Sequence, residues 1–333
     1  MPIPTAQKTT SPNSSPAIAN YTNRILCGDA LKVLKRLPSE SVDCVVTSPP
    51  YWALRDYNVK GQIGLEPSMN DYLTKIITVF NEIRRVLKPE GTLWINFGDT
   101  YANKTKGGQH NQPQGNLFDS LSKRAKLPKL KTVLSIPAKS LCLVPERFAV
   151  RMIEQGWILR NQIIWHKPNV MPQSVKDRFT VDFEKMFFFV KEKNYYFERQ
   201  FEPLKNPQEM QRRFSNPFTN HQYRQISRKR LSDREAVKRA QQAILKNGRN
   251  KRCVWSIGIG TANGGHFAVY PPRLIETPIK AGCPKNGIVL DPFMGSGTTA
   301  VVAKGLGRNY IGIELNPQYA RMARRRIATA RPN

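Results

Sequence analysis

The sequence predicts an α/β protein built on a doubly wound, mostly parallel sheet that a strongly basic segment interrupts. Three observations carry that expectation. Short apolar, β-branched runs alternate with helical patterns in both halves of the chain, several of these runs end in a loop rich in Pro or Gly, and much of the positive charge is confined to two stretches between them. The first run, Arg24 to Cys27, leads into Gly28-Asp29-Ala30, and Leu31, Val33, Leu34 and Leu37 then share one side of a roughly three-turn helix that Pro38 closes. Val42 to Thr47 is the second strand. It stops at Ser48-Pro49-Pro50-Tyr51-Trp52, because two consecutive prolines cannot extend a central strand. Residues 69 to 88 repeat apolar side chains at helical spacing up to Pro89-Glu90-Gly91, and Thr92 to Phe97 reads as the third strand. Further on come a helix from Pro145 to Glu154 and strands from Ile158 to His166 and from Glu184 to Lys191, the last with Phe187-Phe188-Phe189 expected to be buried. A helix over Pro272 to Ala281, a strand at Ile288 to Leu290, a Gly-rich turn, a helix from Thr298 to about Leu306 and a strand at Tyr310 to Ile313 complete the pattern.

Length and charge narrow the function. With 333 residues the chain holds one large domain or two ordinary ones, and 53 Lys and Arg against 24 Asp and Glu leave a net charge of +29. An acidic polymer is the partner that such an excess suits. Residues 199–252 hold 15 Lys and Arg against four acids, and residues 103–131 hold seven against one, so one surface is expected to carry the charge. The divisions expected are a disordered tail over 1–20, a first α/β half over 21–198 that contains the basic loop 103–131, a basic insert over 199–252 and a second half over 253–330. The longest apolar run, Met186 to Val190, is far too short for a membrane span. Cys27, Cys44, Cys142, Cys253 and Cys283 show no CxxC pair, so neither a metal site nor a disulfide framework is expected, and the five read as reduced core thiols of a cytoplasmic protein.

Two segments carry chemistry. Asp291-Pro292-Phe293-Met294-Gly295-Ser296-Gly297-Thr298-Thr299 joins a strand to a helix, where glycines allow a tight turn close to a ligand. Glu314, 19 residues after Gly295, ends the next strand and is the acid expected to accept ribose hydroxyls. A P-loop would need a Lys that is missing, and the third glycine of a dinucleotide fingerprint is also missing. A cofactor with ribose and adenine but no pyrophosphate fits better, and S-adenosylmethionine is the common one. In Ser48-Pro49-Pro50-Tyr51, the serine Oγ and the Pro49 carbonyl are acceptors beside an aromatic face, which suits an exocyclic amine on a planar base. On this reading stacking requires the Tyr51 ring and not its hydroxyl.

SPPYW after an apolar strand, with DPFMGSGTT further on, resembles the amino DNA methyltransferases, and the order of catalytic motif, basic region and cofactor motif resembles their beta group. The Ser form of the tetrapeptide is typical of the N4-cytosine enzymes, with N6-adenine methylation as the alternative. The resemblance spans about residues 22–327 and implies a Rossmann-like class I methyltransferase sheet, S-adenosylmethionine as cofactor, duplex DNA as partner, base flipping and a target-recognition region in the insert. Matched to the family's motifs, Asp291, Phe293, Gly295, Ser296, Gly297 and Thr298 would form the cofactor turn, Glu314 would bind the ribose, and Asp29 would lie near the adenine or cap its helix. Ser48, Pro49, Pro50 and Tyr51 would be catalytic. Trp165-His166-Lys167-Pro168 and His266-Phe267-Ala268 are lesser matches. Arg212, Arg213, Arg224, Arg228, Lys229 and Arg230 in the insert, with Lys123 and Arg124 in the earlier loop, are expected to contact DNA. A DNA-binding protein with a lapsed site, or methylation of RNA or protein amines, would share parts of this pattern. The residues themselves are silent on a cognate restriction endonuclease in the same cell.

Overall fold

The computed structural model describes residues 16–102, 136–170, 172–215, 231–259 and 270–330. In chain order the elements are α1 (Pro16–Ala19), β1 (Arg24–Cys27), α2 (Ala30–Leu34), β2 (Val42–Thr47), α3 (Met69–Val86), β3 (Leu87–Phe97), α4 (Val144–Glu154), β4 (Ile158–His166), β5 (Phe183–Val190), β6 (Phe201–Glu202), α5 (Pro207–Ser215), α6 (Leu231–Asn247), β7 (Arg249–Asn250), β8 (Val254–Ser256), α7 (Pro272–Gly282), β9 (Ile288–Asp291), α8 (Thr298–Gly305), β10 (Asn309–Glu314) and α9 (Pro317–Thr329). The chain divides into two compact units, Met1–Phe197 with Val254–Asn333, and Glu198–Cys253.

The first unit is organised by an eight-stranded sheet in the order β1-β10-β9-β2-β3-β5-β4-β8. The five strands from β1 to β3 are parallel, β5 runs against both β3 and β4, and β8 lies parallel to β4. This is the doubly wound, mostly parallel sheet that the alternating pattern predicted. Parallel strands are covered on both faces and so read as continuous apolar runs. Alternation sorts their side chains. Val45, Leu93, Ile95, Phe97, Phe187 and Phe189 face a core built with α2, α3 and α4, whereas Cys44, Val46, Trp94, Met186, Phe188 and Val190 face a second core with Leu274, Ile275 and Ile279 of α7. The Phe187-Phe188-Phe189 run thus feeds both layers, and Phe188 stacks on Trp94 at 3.9 Å between ring centroids.

Several boundaries differ from expectation for local reasons. Order is described from Pro16, not Tyr21, because Ile18 is buried in the first core. Helix α2 stops at Leu34. Beyond it the Arg36 and Leu37 amides bond to carbonyls three residues back, which tightens the chain before Pro38. Strand β3 begins at Leu87 and carries Pro89-Glu90-Gly91 within it. A register shift against β2 between Val42 and Cys44 makes room for them, the kind of bulge where a strand proline is tolerated. Helix α9, unforeseen from the pattern, packs Ala320, Ala323 and Ile327 against Ile25 and Met294. In the second unit, β6 pairs with β7, and Glu202 takes the guanidinium groups of Arg249 and Arg252 at 2.6 Å each.

The thiols also divide. Cys44, Cys142 and Cys283 are buried as expected, but Cys27, at the end of β1, and Cys253 are exposed and are not core residues. Burial pushes the Cys44 thiol up to about 12 and the Cys142 thiol up to about 11. Iodoacetamide at about pH 8 should therefore label only Cys27 and Cys253 in the folded protein and reach the other three on unfolding, as read by mass spectrometry. Equal labelling of Cys44 in the native state would contradict this packing.

Candidate active site

Because β1, β10, β9, β2 and β3 run the same way, their carboxyl ends lie along one edge. Register places the site residues there: Cys27 is opposite Glu314, Gly312 opposite Asp291, Val45 opposite Leu290 and Thr47 opposite Ile95. Asp29 follows Cys27, and Ser48 follows Thr47. The residues assigned to the cofactor and to the reacting base therefore share one edge of one unit.

The turn after β9 needs its glycines. Gly295 and Gly297 have φ of 53° and 88°, a region that side chains with a Cβ rarely adopt. The Gly295 amide donates to Glu314 Oε2 at 2.8 Å and the Asn316 amide to Oε1 at 2.7 Å, so the carboxylate holds the turn against the end of β10. A Cβ added at Gly295 would meet nothing within 4 Å. The space beside the turn is thus open to a ligand, with an acidic acceptor next to it. Burial raises Glu314 above the usual carboxylate range. Ser296 Oγ accepts from Arg326 at 2.6 Å, Thr298 is buried at the start of α8, and Phe293 is half-buried against the first core. Asp29 accepts from the Lys32 amide at 2.9 Å and so caps α2 from its place at the edge.

Asp291 has a different environment. It is 1% exposed and accepts from Thr47 Oγ1 at 2.6 Å, Thr299 Oγ1 at 2.5 Å, Tyr270 Oη at 3.1 Å and the Phe293 amide at 3.0 Å. Both oxygens are occupied by the protein, and burial raises its carboxyl above the usual range. It therefore bonds to the protein around the Gly-rich turn. Thr47 belongs to β2, so this one carboxylate ties the Gly-rich turn to the root of the Ser48 loop.

In that loop the Pro50 carbonyl accepts from Tyr72 Oη at 2.8 Å, while no described residue donates to the Pro49 carbonyl. The hydroxyl of Tyr51 is engaged as well as its ring. It accepts from Ser48 Oγ at 3.3 Å and from Asn96 Nδ2 at 2.8 Å, and it donates to Glu184 Oε2 at 2.9 Å. Asn96 Nδ2 also donates to Glu184 Oε2 at 2.7 Å, and Lys167 pairs with Glu184 Oε1. Burial opposes the charge on Glu184, yet the Lys167 ammonium and the bonds from Asn96 and Tyr51 hold its carboxyl below the usual range. The Tyr51 ring stacks on Phe97 at 5.8 Å and 9° and helps line a cleft with Trp52, Leu54, Gly98, Asp99 and Thr100.

Thr47, Asn96, Lys167, Glu184, Tyr270 and Thr299 were not singled out for these contacts from the sequence. Lys167 lies in the Trp165-His166-Lys167-Pro168 match, and a polar Asn96 inside an apolar strand was the clearest available signal. Of the remaining motif residues, Trp165 is buried beneath the Lys167 ammonium, and His166 bonds to Ser256 at 3.1 Å. Arg212 and Arg213 are exposed in the last turn of α5, with Arg213 paired to Glu209. Arg224, Arg228, Lys229, Arg230, Lys123, Arg124, His266, Phe267 and Ala268 lie outside the described residues. Among the described residues no group of His, Cys, Asp and Glu could hold a metal ion, and no helix is long and apolar enough to cross a membrane.

Comparison with known proteins shows the family and the fold. The DNA methylase family model for the N6 and N4 class matches residues 42–325. The Type II methyltransferase M.Cfr9I of Citrobacter freundii is 39% identical over 300 residues, covering 90% of this chain and 86% of its own length. M.SmaI of Serratia marcescens is 39% identical over 310 residues, covering 92% and 91%. Among solved structures, a Thermus thermophilus protein described as a DNA modification methylase, in complex with S-adenosyl-L-methionine, has a TM-score of 0.56 at 26% identity, covering 93% of this chain and 95% of that one. The cytosine-N4-specific PvuII DNA methyltransferase shares the fold, with a TM-score of 0.58 at 20% identity over 90% and 84% of the two chains.

Gly98 shows how tightly the loop is held. A Cβ there would come within 2.4 Å of Tyr51 Cε2, and the ring cannot retreat because Phe97 braces it and three hydrogen bonds fix its hydroxyl. Gly98→Ala should therefore cost about 1–3 kcal/mol in urea unfolding, the usual penalty for overpacking. A wild-type midpoint would show that the ring is not so confined.

Proposed function

The chain belongs to the N6/N4 DNA methylase family and its cofactor is S-adenosylmethionine, and from that premise we propose that it methylates the N4 amine of a cytosine taken out of duplex DNA. The observation that carries this reading is the Thr47–Asp291 bond, which joins the base of the Ser48-Pro49-Pro50-Tyr51 loop to the cofactor turn. When bound, the cofactor supplies a methyl group made electrophilic by its attachment to a sulfonium sulfur. The open space at Gly295 would admit it, Glu314 would accept from its ribose hydroxyls, and Asp29 would be the residue toward its adenine.

The residues of the Ser48 loop would then prepare the amine. Ser48 Oγ and the Pro49 carbonyl accept its two hydrogens, which favours a pyramidal nitrogen with its lone pair available for attack. Tyr51, braced by Phe97, offers a flat surface on which stacking contributes about 1–3 kcal/mol. Alignment of nitrogen, methyl carbon and sulfur supplies much of the acceleration. Ser48 in place of an acid at the head of the tetrapeptide is the feature that favours cytosine over adenine.

Target recognition is assigned to the 199–252 insert. Arg212, Arg213, Arg224, Arg228, Lys229 and Arg230, with Lys123 and Arg124, would contact phosphates, and some arginines would read guanine edges in the major groove.

Nucleosides from DNA incubated with the protein and cofactor, analysed by mass spectrometry, should contain N4-methylcytosine; N6-methyladenine in its place would overturn the cytosine assignment. Ser48→Ala should lower the yield about 100-fold with DNA and cofactor affinities within about twofold of wild type, since its bond matters most as the nitrogen pyramidalises. Neutralising Arg228, Lys229 and Arg230 together should weaken duplex binding and flatten the plot of log affinity against log salt by up to about three units. Unchanged affinity and slope would move the DNA contact elsewhere.

A further inference from the structure

We propose that Glu184 takes up, through the Tyr51 hydroxyl and Ser48 Oγ, the proton that the target amine sheds on methylation. The inference rests on the amine chemistry proposed above and adds a path for the proton.

The donor sense of the chain follows from the groups present. Asn96 Nδ2 has only hydrogens to offer, and it gives one to Tyr51 Oη and one to Glu184 Oε2. An ionised Glu184 can only accept, so the single Tyr51 hydrogen must point to Glu184, 2.9 Å away. The Tyr51 oxygen then takes its second hydrogen from Ser48 Oγ at 3.3 Å. Ser48 keeps its lone pairs for a further donor, and each hydroxyl hydrogen already points toward Glu184. A hydrophobic brace for Tyr51 would need no charge, whereas a carboxylate 19% exposed costs free energy unless it is compensated. Compensation comes from Lys167, itself packed on the Trp165 ring at 4.5 Å. The groups facing Glu184 are thus Lys167 from the end of β4, Asn96 from β3 and Tyr51 from the loop after β2, with Tyr57 next to Tyr51.

The step balances without a further reactant. The nitrogen lone pair forms the N–C bond while the C–S bond breaks with its electrons going to sulfur, and the nitrogen is left cationic with one proton in excess. That proton passes to Ser48 Oγ as the Ser48 hydrogen moves to Tyr51 Oη and the Tyr51 hydrogen moves to Glu184. The carboxylate becomes neutral, the product amine becomes neutral, and Lys167 keeps its charge throughout. After product leaves, Glu184 returns the proton to water by the reverse path. Because a methylated amine still bearing its extra proton is a strong acid, a carboxylate held at low affinity for protons is sufficient to receive it.

The test compares single-turnover methyl transfer by wild type, Glu184→Gln, Lys167→Met and Tyr51→Phe across about pH 6 to 9, with DNA and cofactor affinities and thermal unfolding measured on each. Wild type should be nearly flat over this range. Glu184→Gln keeps an acceptor for Tyr51 but cannot take a proton, so the rate should fall about 100-fold and become dependent on pH, rising as hydroxide replaces the lost acceptor. Lys167→Met removes the charge that holds the Glu184 carboxyl low. An acid-side loss of rate should then move up into the measured range, because activity requires the ionised form and is lost as pH falls through the raised value. A Glu184→Gln protein with wild-type rate and a flat profile would overturn the proposal. Should that variant unfold, Tyr51→Phe removes one oxygen from the same path and must show the same loss and the same acquired slope; wild-type behaviour there would overturn it equally. A product without an N-methyl group would instead refute the underlying amine reading, and nucleoside mass spectrometry of the same samples separates the two failures.

Discussion

Asp291 holds together segments that lie far apart in the chain. A carboxylate sealed from water is costly, and leaving even one of its oxygens unsatisfied would cost on the order of 1–3 kcal/mol. Thr47, Thr299, Tyr270 and the Phe293 amide all reach it, and each comes from a different local segment: the end of β2, the first turn of α8, the approach to α7 and the turn itself. Satisfying the acid therefore fixes where the turn sits, where α8 begins and where the Ser48 loop leaves the sheet. The geometry of both halves of the site follows from that requirement.

A second carboxylate at the same edge is handled in the opposite way. Asp291 is surrounded by neutral donors, and burial pushes it above the usual range, whereas Glu184 has an ammonium against it and is held below. Two acids of similar chemistry are thus driven apart by environment, the condition under which one serves structure and the other can exchange a proton. The strands explain why both lie near the Ser48 loop. β2 has β9 on one side and β3 on the other, and β5 and β4 follow β3, so Asn96, Glu184 and the end of β4 line up along the same edge.

Much of this was legible in the sequence, and the unread parts have physical causes. The parallel strands were readable because burial on both faces makes them continuous apolar runs, and the two motif loops because Pro49-Pro50 and Gly295-Ser296-Gly297 forbid continuing a strand. Helix α9 escaped because its buried side has a single large apolar residue, Ile327, beside Ala320 and Ala323, too small to stand out among its arginines. The early start of β3 escaped because a proline in a bulge looks the same as a proline that breaks a strand. Glu184 and Lys167 became neighbours only through an antiparallel pairing whose register no local pattern reveals. Cys27 shows the converse limit: a strand residue at the end of an edge strand can face water even when its neighbours do not.

The strand order also bears on how the chain is made. β1 precedes every other strand of its sheet in the chain, yet its sheet partner is β10, and β2 has β9 as its neighbour on that side. A nascent chain ending before residue 288 holds β1 and β2 with a gap two strands wide between them and an unpaired edge on each. Such non-local pairing is slow, and exposed edges invite pairing with other chains, so synthesis passes through a vulnerable interval that closes only when the final strands slot in. Those same strands bring Asp291, the Gly-rich turn and Glu314. A fragment released early therefore lacks the proposed cofactor site as well as its stable sheet.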